Sequence, residues 1–286
     1  MFGPMTRTSS YPIAKDGLPA RASGQWAKEK LYYVERYFTI FNRGMYIRWP
    51  RRFYVDLMAG PGRCITANGD EFAGSPVLAA ESEPHFEKCV FVESEPVLQE
   101  ALKARTLAFA ERARLVAGDC NDPAIIKRIR REVPATALSV TFVDMLGLDV
   151  WFSTLAALTS GRRMDLLITL QVSDMTRNAA SAHAEQQDPE RFERFFGSPE
   201  WRRVVADCAS RRTSNVDLAT ALTQFYIERL ASIGYPHVHE LHVLMKNTRN
   251  APLYRLVLAA RHERAVTFFR SIAKIEHSGQ RGLALE

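Results

Sequence analysis

Five short apolar runs, each continuous rather than alternating, constrain this chain more than any other feature. They are FYVDLM at residues 53–58, CVFVE at 89–93, RLVA at 114–117, LSVTFV at 138–143 and DLLITL at 165–170. A strand with one wet face alternates apolar and polar residues, whereas a strand covered on both faces reads as an unbroken apolar run. Helical patterns stand between the runs. Residues 96–113 offer Val97, Ala101, Leu102 and Phe109, residues 122–133 open on Asp122-Pro123 and carry Ile125, Ile126, Ile129 and Val133, and residues 150–158 stop before Gly161. Strand alternating with helix builds βαβ units, so the expected class is α/β, a Rossmann-like, mostly parallel sheet with right-handed crossovers.

The flanking segments follow from the same patterns. Residues 26–41 place Leu31, Val34, Phe38 and Phe41 at spacings of three and four, an amphipathic helix. Residues 1–24 carry Pro4, Pro12, Pro19 and three glycines without periodicity and are expected to be a flexible lead. The core is expected over residues 25–175. A helical or wing-like insertion is expected at 176–235, with short helical candidates at 189–196 and 199–208 and a longer one at 216–233. Residues 236–286 complete the core with strand-like runs at 237–245 and 253–260, an antiparallel hairpin at a sheet edge, and a final helix at 263–275.

Composition narrows the classes further. At 286 residues with 47% hydrophobic and 24% charged residues the chain can bury a core, which excludes wholesale disorder. No window approaches 18 apolar residues and no apolar stretch suits a signal peptide, so no membrane partner and a cytoplasmic location are expected. Cys64, Cys89, Cys120 and Cys208 show no CxxC spacing and read as free thiols. The net charge of +6, from a basic set dominated by arginine, suits a polyanionic partner, DNA or RNA. It equally suits a codon bias, because the basic residues are scattered in doublets such as Arg162-Arg163, Arg202-Arg203 and Arg211-Arg212.

The chemistry gathers at strand ends. Asp56-Leu-Met-Ala59-Gly60-Pro61-Gly62 closes the first buried run, where a parallel sheet binds ligands and glycine lets a backbone approach one; glycines there are also ordinary turn residues. Glu93 closes the second run in the place of an acid that binds ribose hydroxyls. Asp119, followed by Cys120, and Asp144 end the third and fourth, although acids after strands also cap helices. Cys64 and Cys120 read as small packing residues rather than nucleophiles. Twelve residues separate Gly62 from Ser75-Pro76, read as N-cap and first turn of the next helix, so no phosphate cradle stands beside the glycines. That favours an adenosine ligand without phosphates over a dinucleotide and points to S-adenosylmethionine, with residues 60–62 at its amino-acid part, Glu93 at its ribose and Asp119 at its adenine. His237, His239 and His242 lack a nearby carboxylate or cysteine, and no metal is expected.

On these residues the chain resembles the three-Cys-motif partner (TcmP) family, which is similar to class I methyltransferases dependent on S-adenosylmethionine. The matching residues are Trp26 with Lys30-Leu31, Tyr54-Val-Asp-Leu-Met-Ala-Gly-Pro-Gly-Arg63, Gly74-Ser75-Pro76, Phe91-Val-Glu93, Thr141-Phe-Val-Asp144 and Leu253-Tyr-Arg-Leu-Val-Leu-Ala-Ala-Arg-His262. The resemblance implies a protein bearing a three-cysteine motif as partner. It also implies methyl transfer to a nucleic acid or a nucleic-acid-associated substrate, with Asp144 orienting the acceptor or taking its proton. One departure weighs against base methylation: where the family shows Asp-Pro-aromatic-Gly, this chain has Asp144-Met145-Leu146-Gly147, without the rigid turn or the stacking ring. The alternative expectation is therefore a binding module that holds S-adenosylmethionine for its partner without turnover. The interrupted glycine loop disfavours a nicotinamide-dependent oxidoreductase.

Overall fold

The computed structural model describes residues 11–184, 188–211, 214–238, 242–246 and 252–273. In chain order the elements are β1 (Arg21–Ser23), α1 (Gln25–Met45), β2 (Arg52–Asp56), β3 (Arg63–Thr66), β4 (Glu71–Ala73), α2 (Ser75–Glu81), β5 (Lys88–Glu93), α3 (Pro96–Arg105), β6 (Ala113–Ala117), α4 (Pro123–Glu132), β7 (Leu138–Asp144), α5 (Phe152–Thr159), β8 (Arg163–Leu170), α6 (Val172–His183), α7 (Pro189–Phe196), α8 (Trp201–Ser210), α9 (Asn215–Ser232), β9 (His242–Lys246), β10 (Pro252–Ala259) and α10 (Glu263–Ala273).

Among the described residues, seven strands form the main sheet in the order β6-β5-β2-β7-β8-β10-β9. β5, β2, β7, β8 and β6 are parallel, while β10 runs antiparallel to both β8 and β9. This is the expected mostly parallel α/β sheet with an antiparallel C-terminal hairpin. All five residues of β2 are buried, as are seven of the eight in β8, which is the physical reason those runs lack polar alternation. One face carries α4 to α9, where Phe192, Phe195, Trp201 and Tyr226 join the sheet's Val55, Val92, Val143 and Ile168 in a continuous core. The helices expected as an insertion thus share the core of the sheet. The other face carries α1, α2 and α10 over Tyr54, Phe91, Phe142 and Leu256, with the Phe38 and Tyr54 rings edge to face at 4.9 Å.

Several boundaries differ from expectation. Residues 12–23, expected to be part of a flexible lead, are tied down: Ile13 bridges Pro19, β1 pairs in parallel with β3, and the Arg105 guanidinium holds Asp16 and the carbonyls of Leu18 and Pro19. The remainder of that lead, residues 1–10, lies outside the described residues. The helix after β5 stops at Arg105, because the chain turns back into β6 at Ala113. α6 starts at Val172, directly after β8, with Val172, Met175, Ala179 and Ala182 on its buried side. Of the strand expected from 237, His237 makes an isolated bridge to Ala260 and His242–Lys246 form the described strand. His239 and Arg212 fall outside the described residues.

Candidate functional site

A parallel sheet opens a crevice where strand order reverses, because neighbouring connections leave in opposite directions. Here that point lies between β2, whose successor in the sheet β5 lies on one side, and β7 on the other. A cleft of about 840 Å³ stands at the carboxyl ends of these strands. Its walls include Met58, Ala59, Pro61 and Gly62 after β2, Asp144 to Leu146 after β7, Gln171 after β8, and Arg21, Trp26 and Lys30 from the N-terminal segment.

The glycine turn is shaped by its surroundings. Gly60 and Gly62 have φ of +65° and +81°, a region that favours glycine. The Gly60 amide donates to Glu93 Oε2 at 2.7 Å, and the Glu95 amide donates to the other oxygen at 2.9 Å. Glu93, 6% exposed, thus anchors the glycine turn from the next strand. Asp56 is wholly buried and does not line the cleft. It accepts from Ser75 Oγ at 2.7 Å, Tyr54 Oη at 2.8 Å and the Met58 amide at 3.3 Å. Burial pushes its carboxyl up to about 6 against these hydrogen bonds. Its role is to tie the end of β2 to the start of α2.

The twelve-residue interval after Gly62 is a hairpin. β3 and β4 pair antiparallel around a turn at Asn68 and Gly69, and the chain then returns, the Gly74 amide donating to the Gly62 carbonyl at 2.8 Å. A Cβ on Gly74 would sit 3.1 Å from the Gly62 carbonyl carbon. The expectation that the interval separates the glycines from the following helix is therefore corrected: the hairpin closes on itself and delivers α2 against the glycine turn. Gly74, not Ser75, is the N-cap, and Pro76 takes the second position. Ser75 is drawn inward by Asp56, which a buried carboxylate needing donors explains.

At the opposite wall, Lys30 Nζ sits 2.6 Å from both oxygens of Asp144. Their side chains are 11% and 13% exposed, and the ammonium lies 5.5 Å from the Tyr254 ring centre. The Tyr254 hydroxyl donates to the Trp26 carbonyl at 2.7 Å, and Gln171 Nε2 donates to the Met145 carbonyl at 2.6 Å. The turn after Asp144 is pinned from α7: Arg191 contacts Asp174 at 3.1 Å and Asp149 at 3.5 Å, and a Cβ on Gly147 would clash with its guanidinium. Two exposed apolar side chains line the cleft, Leu146 at 68% and Trp26 at 42%. Arg21 reaches over the glycine turn, 3.3 Å from where a Gly60 Cβ would be. Among the described residues it has no carboxylate partner.

Of the residues singled out from sequence, Ala59, Pro61, Gly62 and Asp144 line the cleft. Gly60 and Glu93 lie just beneath, bonded to each other. Asp119 is exposed and caps the turn at the Asn121 amide, and Cys120 is buried with its thiol pushed up to about 12, chiefly by burial. Neither lines the cleft. Sequence reasoning missed Arg21, Lys30 as a site residue, Gln171, Tyr254 and the strap Arg105, which donates to the Pro61 carbonyl at 2.7 Å. Lys30 carries a readable signal, since it falls on the apolar stripe of α1 between Trp26 and Val34, where a charge needs a partner.

No family model matches the chain, and no curated protein matches it. The three-Cys-motif partner resemblance therefore stands on the residues quoted for it. Among solved structures, the chain is 13% identical to the O-methyltransferase TomG from Streptomyces achromogenes in complex with SAM, covering 83% of this chain and 88% of that one at a TM-score of 0.44. It is 10% identical to the O-methyltransferase from Bacillus cereus in complex with SAH, covering 79% and 80% at 0.43. For the cofactor-bound protein Rv0187 from MTB the identity is 12%, with 80% of each chain covered at 0.44. Likenesses this distant carry no conclusion about ligand or activity.

Proposed function

We propose that the cleft binds S-adenosylmethionine and that the chain is a methyltransferase whose acceptor sits beside Asp144. The observation that carries this reading is the convergence, at the β2/β7 switch point of the sheet, of an anchored glycine turn and a largely buried Lys30–Asp144 pair across a single cleft. Its volume suits a ligand of that size, and its walls combine apolar surface with polar and charged side chains such as Arg21, Lys30, Asp144 and Gln171. Arg21, a guanidinium without a carboxylate above Gly60, fits the carboxylate of an amino-acid moiety at the glycine turn. Glu93 reaches a bound ribose only through lone pairs left over from two amides, so its first role is to hold the turn. Asp119 is not part of this fit.

When bound, S-adenosylmethionine supplies an electrophilic methyl group, and transfer then depends chiefly on alignment of the acceptor. Asp144, held by Lys30, retains lone pairs to accept a hydrogen bond from an acceptor O–H or N–H and so orient it. Trp26 and Leu146 give the acceptor an apolar lip. The finer proposal, an acceptor on nucleic acid or an associated molecule with a three-cysteine protein as partner, is supported by the net charge of +6 and by the family resemblance. A specific observation favours the second reading, a binding module without turnover: both Asp144 oxygens already contact Lys30, and Met145 and Leu146 offer the acceptor no stacking ring.

Calorimetric titration with S-adenosylmethionine, its demethylated product and NADH tests the assignment. Saturable binding of the first two alone is expected, and binding of none, or of NADH, overturns it. Transfer of labelled methyl groups into RNA, DNA or protein of a cell extract separates enzyme from module.

A further inference from the structure

The opposite end of the sheet holds a second cavity, of about 360 Å³, unrelated to the cleft. It lies at the amino ends of β7 and β8, where Leu138 and Arg163 begin those strands. The six-residue rise of β7 from Leu138 to Asp144 sets the two sites roughly 20 Å apart. Four arginines line the cavity, Arg48, Arg163, Arg261 and Arg264, together with one acid, Asp165.

The charges do not balance locally. Asp165 is buried and accepts from the Arg261 amide at 3.4 Å and from Tyr37 Oη at 3.5 Å. Arg261 is fixed as a wall: its guanidinium donates to the carbonyls of Thr159 and Ile233 and stacks on Tyr235 at 4.6 Å. That leaves Arg48, Arg163 and Arg264, each exposed and, among the described residues, each without a carboxylate partner. Three cations facing one small cavity repel one another unless an anion joins them. Arg163 is also presented in a particular way, with its guanidinium 5.1 Å from the Trp49 ring centre. A guanidinium stacked on an aromatic ring keeps its in-plane N–H groups outward, free for a bidentate acceptor such as phosphate. The rest of the wall is Met45, Leu138, His262 and Ala265 with three aromatic side chains, Phe41, Trp49 and Phe268, which suit a planar ring rather than a bare ion.

We propose that this cavity binds a planar aromatic ring carrying a phosphate group, the chemistry of a mononucleotide, with Arg48, Arg163 and Arg264 on the phosphate and Trp49 and Phe268 against the ring. The volume holds one such unit. The same chemistry occurs in a free nucleotide and at the 5′ end of a nucleic acid.

Calorimetric titration of the full chain with adenosine 5′-monophosphate tests the proposal, with adenosine and inorganic phosphate as controls for ring and anion. One saturable site is expected, with each control weaker by about tenfold or more, as loss of a charge-assisted bidentate contact implies. The double variant R163E/R264E, at two exposed positions, is expected to abolish this binding without changing S-adenosylmethionine binding in the cleft. A 5′-phosphorylated oligonucleotide distinguishes the source: binding equal to the mononucleotide supports a nucleic-acid end, and binding of the mononucleotide alone supports a free metabolite. No saturable heat at millimolar nucleotide overturns the proposal, as does binding that survives in R163E/R264E but disappears in R21E, which would place the nucleotide in the cleft.

Discussion

Replacing Glu93 tests whether the glycine turn is held from the neighbouring strand. The carboxylate accepts two backbone amides, Gly60 at 2.7 Å and Glu95 at 2.9 Å, while only 6% exposed. Gly60 is itself buried, so in Glu93→Ala its N–H loses a charge-assisted bond and gains no water, a cost of about 1.5–3 kcal/mol. Glu95 is exposed and recovers a water, adding about 0.5–1 kcal/mol. The total of roughly 2–4 kcal/mol should appear in urea unfolding as a lower midpoint at unchanged slope. Glu93→Gln should fall between, because one amide oxygen serves one N–H while its NH₂ group opposes the other donor. The Gly60 amide should lose hydrogen-exchange protection in both variants, and affinity for S-adenosylmethionine should drop in parallel because a loosened turn must be ordered on binding. A stability within about 0.5 kcal/mol of the parent, with Gly60 protection intact, refutes the anchoring argument.

Three further outcomes are expected. In a double-mutant cycle on Lys30→Met and Asp144→Asn, each single change should destabilise by about 2–4 kcal/mol and the pair by less than the sum, since either change alone strands a charge that is little exposed. Burial raises the Asp165 carboxyl to about 7 and that of Asp56 to about 6, so the folded chain holds protons the unfolded chain has released. Stability should then fall as pH rises from about 4 to 7, and Asp165→Asn should flatten that decline and exceed the parent at pH 8 by about 1–3 kcal/mol, measured by urea unfolding at both pH values. Gly74→Ala should cost about 1–3 kcal/mol, because its methyl meets the Gly62 backbone at 3.1 Å and no side chain is there to yield; an unchanged thermal midpoint would contradict the closed hairpin.

The core strands were legible because burial on both faces writes itself as an unbroken apolar run. The runs at 89–93 and 138–143 match β5 and β7 to within a residue, and the Asp122-Pro123 start of α4 is capped as its residue types predict, Asp122 accepting from the Ala124 amide at 2.8 Å. Short elements were not legible by periodicity. β1, β3 and β4 have three or four residues each, too few to establish a period, and β1 pairs with a strand some forty positions away. One local signal was present and unused: Asn68-Gly69 between β3 and β4, with Gly69 at φ +81°, is the dipeptide that favours tight hairpins. Side-chain direction was the other gap. Glu93 at a strand end reads equally as a ligand for ribose or an anchor for a neighbouring loop, and only the positions of the Gly60 and Glu95 amides decide between them.

The hairpin also alters what spacing means at this site. Counting residues from Gly62 to the next helix treats the chain as if distance along it were distance in space, and that count removed the helix from the glycine turn. Two glycines reverse the inference: Gly69 lets the hairpin fold back, and Gly74 admits the contact of backbone on backbone that seals its base. Ser75 then falls within reach of Asp56, and Arg63 and Glu71, on opposite strands, face each other at 3.3 Å. β1 extends the hairpin into a three-stranded sheet, and its Arg21 is carried over Gly60 by that pairing. The N-terminal segment, the hairpin and Arg105 thus form one cover, whose guanidiniums meet the glycine turn at Gly60 and at the Pro61 carbonyl. A perturbation of the cover, such as Arg105→Ala, should therefore weaken ligand binding in the cleft without any contact of its own with the ligand, and an affinity equal to the parent's would show that the cover is not coupled to the turn.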